Sequence, residues 1–323
     1  VTEIILVHGI GQEQRSADWL ESQWLPSLAG GVRTAGHPEL ADALWRYARP
    51  GAPTTRMAYY ADLFRRADQQ GSAADVVGFS TPDRQRVIDD LLAELIANAG
   101  ARAQGPNDQR EVEQALRVLR GDVPDTQGLG VLARPLLNAL LRIGPFARLG
   151  HAVAERFLVA ALRQVTLYLT DPEIRQAAQQ RVLSLVDVDT KVVIAHSLGT
   201  VVAFEALHRV DHPIPLLITL GSPLGMRTLI HGRLHPQPAC VPPTVKRWVN
   251  IADRDDLVAS TLDLTPLFAG GDGVLENHST VDNGSKPHEA TYYLGKAVVG
   301  GPLAEVCHSG DGLGDPSATS ASA

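Results

Sequence analysis

The segment KVVIAHSLGTVVAFEAL, Lys191 to Leu207, places one serine between a β-branched run and an apolar run of helical character. A serine at a strand-to-helix turn sits in strained backbone that pushes its hydroxyl into the open, so Ser197 is the candidate nucleophile. The positions two before and two after it must be small, because the turn brings strand and helix close together. Ala195 and Gly199 meet that demand, with Ala195 standing where glycine is more usual. The helix start behind the serine points N–H groups at any anion that forms beside it. A Ser-Gly helix cap after a buried strand is the plainer alternative; strand, turn and helix in the required order favour the nucleophile.

A serine nucleophile needs a histidine, and the histidine needs a carboxylate to fix its tautomer. The expected chain order is serine, acid, histidine, each partner on a loop after a strand. WVNIADRDDLVA, Trp248 to Ala259, offers Asp253, Asp255 and Asp256 at the end of a strand. Asp256 is the preferred acid and Asp255 the alternative; solvated loop charges or caps account for the others. An Asp-rich calcium loop is the other reading of this run, but it lacks ligands at odd positions followed by a Glu. Three histidines follow: His278, His288 and His308. His288, in NGSKPHEATYYL (Asn283 to Leu294), lies on a Gly/Pro loop leading into aromatic residues and is the preferred base. His278 is the alternative, and His308 falls in the expected tail.

Acyl transfer also needs two donors aimed at the developing oxyanion. The N–H of Leu198 is one candidate. The other is the N–H of Ile10 in LVHGIGQ, Leu6 to Gln12, where two glycines allow close backbone approach. His8 then shapes the loop and is not a base. Gly9-x-Gly11 does not continue into a dinucleotide fingerprint, because position 14 is Gln.

These residues require a mostly parallel sheet, and the chain supplies one: an α/β fold of short apolar strands separated by long helical stretches. The strands expected are Ile4–Val7, Arg56–Tyr60, Val192–Ala195, Leu216–Leu220 and Lys246–Ile251, several apolar throughout as in strands covered on both faces. The core is assigned to 1–62 and 165–300, with 63–164 as a large helical cap insertion. Thr81-Pro82 predicts a capped helix start, followed by an apolar face of Val87, Ile88, Leu91, Leu92, Leu95 and Ile96. Breaks are expected at 101–108 and 121–130, then a helical region from about 132 to 169 interrupted at Gly144-Pro145. Asp171-Pro172 predicts another helix start. Residues 308–323 read as a disordered tail.

The 323 residues are 44% hydrophobic and 20% charged, ordinary globular composition. A net charge of −7 argues against a nucleic-acid surface. Two cysteines, Cys240 and Cys307, suggest reduced thiols and no disulfide framework. The chain opens directly on a strand and has no apolar run of membrane-spanning length, so a soluble, cytoplasmic protein is expected.

Together VHGIGQ, IAHSLGTVVAFEAL, ITLGSP, WVNIADRDDLVA and NGSKPHEATYYL resemble the bacterial lipase-like serine esterases of the α/β-hydrolase superfamily, with similar modules in GPI-inositol deacylases. The resemblance spans roughly 1–62 and 165–300 but not the insertion. It implies the α/β-hydrolase fold and hydrolysis of an ester or lipid-like acyl substrate, with no metal or organic cofactor. An acyltransferase, thioesterase or peptidase would use the same residues, and an inactive hydrolase-like scaffold is the reading outside enzymes. Leu136, Leu137, Leu140, Leu141, Phe146, Phe157 and Leu158 would serve a lipid-facing pocket or the cap's own core, and the core is favoured for any one of them.

Overall fold

The computed structural model describes residues 2–45, 53–65, 81–102, 105–119, 151–259 and 261–309. Six strands form one sheet: β1 (Ile4–Val7), β2 (Thr55–Ala58), β3 (Val192–His196), β4 (Ile214–Leu220), β5 (Val245–Asp253) and β6 (Leu275–Val281). The order is β2-β1-β3-β4-β5-β6, and every neighbouring pair is parallel. All four residues of β1 and all five of β3 are buried. Their unbroken apolar runs therefore mark strands covered on both faces.

Helices on the two faces supply that cover. α1 (Ala17–Thr34), α2 (Pro38–Trp45) and α9 (Ala297–Ser309) meet the face bearing Ile4, Leu6, Val192 and Ile194. Ile5, Val7, Val193 and Ala195 point the other way, as the period of two dictates, into a larger core. That second core contains α3 (Pro82–Ala101), α5 (His151–Thr170), α6 (Pro172–Leu183) and α7 (Leu198–Leu207). α4 (Pro106–Leu119) packs on α3, and the short α8 (Ala290–Leu294) precedes α9. No helix among the described residues is long and apolar enough to cross a membrane.

Several expectations need correction. β6 was not among the expected strands, because LENHSTV is apolar only at its ends; an edge strand paired on one side can carry polar residues. Tyr60 leaves β2 and starts a 3-10 turn. The helix expected after Ser197 does form, and α7 is buried on every residue, including Glu205. The expected boundary at 164/165 falls within α5. Residues 308 and 309, assigned to the tail, lie in α9, and 310–323 fall outside the described residues. The helix starts at Thr81-Pro82 and Asp171-Pro172 do occur, each capped by its side-chain oxygen. Leu136, Leu137, Leu140, Leu141, Phe146 and the expected breaks at 121–130 and 144–145 lie outside the described residues.

From β1 the chain crosses to β2 on one side and later to β3 on the other. Crossovers therefore reverse direction between β1 and β3. The loops at the carboxyl ends of two such strands diverge and open a crevice, where ligands bind in open α/β sheets.

Candidate active site

Ser197 stands at that crevice, directly after β3. Its φ of 55° and ψ of −131° make it the only non-glycine residue with positive φ among the described residues. Such a conformation costs about 1–3 kcal/mol and persists only where the surroundings hold it. Here the Ser197 N–H donates to Leu220 O at 3.0 Å, while Ser197 O accepts from the Thr200 N–H at 2.9 Å and from Thr200 Oγ1 at 2.8 Å. Thr200 Oγ1 also pairs with Ser222 Oγ at 2.8 Å. The need for a small residue two places on has a direct cause. A Cβ on Gly199 would lie 2.3 Å from His8 O and 2.6 Å from Val7 O.

His288 Nε2 lies 2.9 Å from Ser197 Oγ, and its Nδ1 lies 2.8 Å from Asp256 Oδ2. A carboxylate only accepts, so the ring proton belongs on Nδ1 and Nε2 is free to accept from the serine. Asp256 has no solvent exposure. Burial alone would raise its pKa, but His288, the Tyr293 hydroxyl and the Val258 N–H together hold the carboxyl below its ordinary value. The Val258 N–H donates to Oδ1 at 2.9 Å, and Tyr293 Oη donates to Oδ2 at 2.8 Å.

The other candidates stand elsewhere. Asp255 is exposed, and its N–H donates to Asp253 Oδ1 at 2.8 Å. Asp253 is buried and joins two loops, its Oδ2 accepting from the Asn283 N–H at 2.5 Å. His278 lies on edge strand β6 beside Glu276, 4.0 Å away, and His308 sits in the last turn of α9. His196 is packed against His288 with ring centroids 4.7 Å apart, and its Nε2 lies 3.0 Å from His288 O. Burial, aided by the neighbouring His288, lowers its pKa to about 3, so it stays neutral.

The two candidate oxyanion donors, Leu198 and Ile10, share a pocket wall with Ser197 and belong to different segments. Leu198 is the first residue of α7, where N–H groups lack intrahelical acceptors. Ile10 follows β1 in a loop whose shape His8 sets. His8 Nδ1 donates to Gly9 O at 2.7 Å, Nε2 accepts from the Tyr60 N–H at 3.1 Å, and Tyr60 Oη donates to His8 O at 2.6 Å. Burial lowers the His8 pKa to about 4, which removes it as a base near neutrality.

The insertion holds two of these loops. The Gly11 N–H donates to Gln164 Oε1 of α5 at 3.3 Å, and Gln164 Nε2 also reaches the Glu13 carboxylate. At the end of α3, Asn98 Nδ2 donates to Leu257 O at 3.0 Å, Arg102 Nε to Arg254 O at 2.6 Å and Arg102 Nη2 to Asp256 O at 3.1 Å. Sequence reasoning missed Gln164, Asn98 and Arg102, because nothing in a helical pattern says which loop it meets. Tyr293 lay in a segment noted only for its packed aromatics.

Ser197 borders two cavities of unlike character. One is a cleft of about 510 Å³ that also contains His288, Arg15, Trp19, Gln23 and Lys286. The other is an apolar pocket of about 30 Å³ that contains Ile10 and Leu198 but not His288. Among the described residues no group of three or more His, Cys, Asp or Glu side chains is arranged to hold a metal ion. No family model, curated protein or solved structure matches the chain.

Proposed function

We propose that the protein is a serine hydrolase that cleaves carboxylic esters through an acyl-enzyme on Ser197, with His288 as general base and Asp256 as its orienting acid. The observation that carries this reading is the unbroken relay of 2.9 Å and 2.8 Å from Ser197 Oγ through His288 to Asp256, starting at the strained serine. Its placement at the reversal point of an all-parallel sheet, with chain order serine, acid, histidine, supports an α/β-hydrolase type of fold.

In the first step Ser197 Oγ attacks the ester carbonyl while His288 Nε2 takes the hydroxyl proton. The tetrahedral oxyanion receives hydrogen bonds from the Ile10 and Leu198 N–H groups; one such donor is worth about 3–4 kcal/mol. The C–O bond to the alcohol breaks as the imidazolium protonates the leaving oxygen. Asp256, buried and held ionised, stabilises that imidazolium. Water then attacks the acyl-enzyme, gives its proton to His288 and releases the acid as Ser197 regains its own.

A fluorophosphonate probe, together with 4-nitrophenyl acetate turnover, tests the reading. Labelling of the native chain that disappears in Ser197→Ala, with turnover lost in parallel, is expected. A native chain that is neither labelled nor active would overturn it in favour of a non-catalytic scaffold.

A further inference from the structure

Both cavities at Ser197 contain Ile10, but only the cleft contains His288 and only the pocket contains Leu198, and that difference assigns them. His288 must protonate the departing alcohol, so the alcohol lies on the His288 side, in the 510 Å³ cleft. The acyl tail then points away from His288, past Ile10 and Leu198, into the 30 Å³ pocket. Resting on the esterase reading above, we infer that the enzyme is selective for short acyl groups, acetyl to about butanoyl, carried on a bulky polar alcohol.

The size limit follows from the walls. The acyl pocket is lined by Leu91 and Leu95 of α3, Ala161 and Val165 of α5, and Met226 and Ile230 from the segment after β4. One water-sized group needs about 10–15 Å³ of such space, so about two or three atoms fit beyond the carbonyl carbon. Four of these six side chains come from the two helices that also hold the catalytic loops. Separating α3 from α5 to admit a long chain would pull Asn98 and Arg102 off the acid loop, or Gln164 off the Gly11 loop. The pocket is therefore narrow because its walls are also the scaffold of the site.

The alcohol side is the opposite in size and polarity. Its wall sets the Arg15 guanidinium 4.3 Å from the Trp19 ring and adds the Trp24 ring and the Lys286 cation. Gln12, Gln23 and Thr291 add hydrogen-bonding groups. Flat rings flanked by donors suit a hydroxyl-rich alcohol such as a sugar far better than a simple alkyl chain.

The test is kcat/KM of the intact chain on 4-nitrophenyl acetate, butanoate, octanoate and dodecanoate. The expected profile is highest at acetate or butanoate and lower by at least about tenfold at octanoate, since each methylene a pocket refuses counts for that order. Leu95→Ala and Val165→Ala, one from each helix, should raise the octanoate-to-acetate ratio. On the alcohol side, a mono-acetylated monosaccharide with its other hydroxyls free should exceed ethyl acetate by about tenfold through binding energy remote from the reacting bond. A native profile flat or rising to octanoate would overturn the acyl assignment, as would widened variants with an unmoved ratio; equal use of the sugar and ethyl acetates would overturn the alcohol assignment. Any of these with Ser197 still labelled leaves the hydrolase reading standing, whereas absence of both labelling and turnover removes the two together.

Discussion

Tyr293 Oη donates to Asp256 Oδ2 at 2.8 Å, the same carboxylate oxygen that faces His288 Nδ1. The same hydroxyl accepts from the Asp253 N–H at 2.9 Å. One phenol thus ties the loop after β5 to the acid it carries. Tyr293→Phe removes a hydrogen bond to a charged group and leaves a buried N–H without its acceptor. The expected result is a loss of about 1–3 kcal/mol in unfolding free energy and a several-fold lower kcat on 4-nitrophenyl acetate. Unchanged kcat would show that the Val258 and Ala259 N–H groups, which donate to Asp256 Oδ1 at 2.9 Å and 3.4 Å, suffice to hold the acid.

Asp256→Asn keeps the volume of the acid and removes its charge. The amide can donate to His288 Nδ1, which favours the tautomer with the proton on Nε2, where it cannot accept from Ser197. A fall in kcat of about 10⁴ is expected, with KM little altered. Asp255→Asn, at an exposed side chain outside the relay, should leave kcat/KM within about twofold. Steady-state kinetics on the two variants separates the aspartates; equal losses would reject the assignment of Asp256.

Gly221 follows β4 with φ +52°, and a Cβ there would lie 2.6 Å from Asp256 Oδ2 and 3.1 Å from His288 Nδ1. Only glycine lets the acid and base close on each other at this point. Gly221→Ala combines left-handed strain with a wedge between the pair. A kcat reduced at least about 100-fold is expected, together with a lower melting temperature. A variant that melts lower but keeps its kcat would mean that the backbone yields and the relay does not.

The relay was readable because each member sits beside a local signal. Ser197 follows a β-branched run, Asp256 lies in the loop just after an apolar strand, and His288 lies in a Gly/Pro loop. Even so, the choice among three aspartates and three histidines rested on neighbouring residues, and the distances are what set Asp256 and His288 apart. The parallel sheet was legible where strands are buried on both faces; β6, polar and at the edge, was not. Gly221 and Tyr293 went unread for another reason. Their roles depend on atoms more than 30 positions away in the chain, which no periodicity records. α3 was legible as a helix but not as a support for the acid loop, and the reach of Gln164 was no more visible, because the bonds from Gln164 and Arg102 span 151 to 154 positions.

Two buried imidazoles give the stability a definite pH dependence. An unfolded histidine titrates near about 6.5. In the folded chain His8 is lowered to about 4 and His196 to about 3, burial being the main cause in each. Above pH 6.5 both states are neutral and neither group contributes. As the pH falls below that value the unfolded chain takes up protons first, so stability drops, until the folded groups titrate as well. Two such protons correspond to about 3 kcal/mol per pH unit. Urea unfolding at pH 6 and pH 5 should show this slope, and His196→Asn should reduce it by about half. A slope that the variant leaves unchanged would place His196 in a wetter environment than its packing indicates.

The last prediction concerns whether the insertion is a lid or a support. Arg102 reaches from the C-terminal end of α3 to the carbonyls of Arg254 and Asp256, and burial lowers its pKa while the nearby aspartates oppose that shift. Arg102→Met keeps the apolar stem and removes both bonds, leaving two loop carbonyls dependent on water. If α3 supports the acid, kcat should fall several-fold, since small displacements of a catalytic group are costly. Amide exchange over residues 254–259 should quicken, because local opening follows the loss of such bonds. A lid that opens for substrate behaves differently: releasing it would ease entry and raise kcat/KM for long acyl esters, with exchange at the acid loop untouched. The direction of the kinetic change and the site of faster exchange therefore decide between the two, and the bonds from Arg102 favour the support.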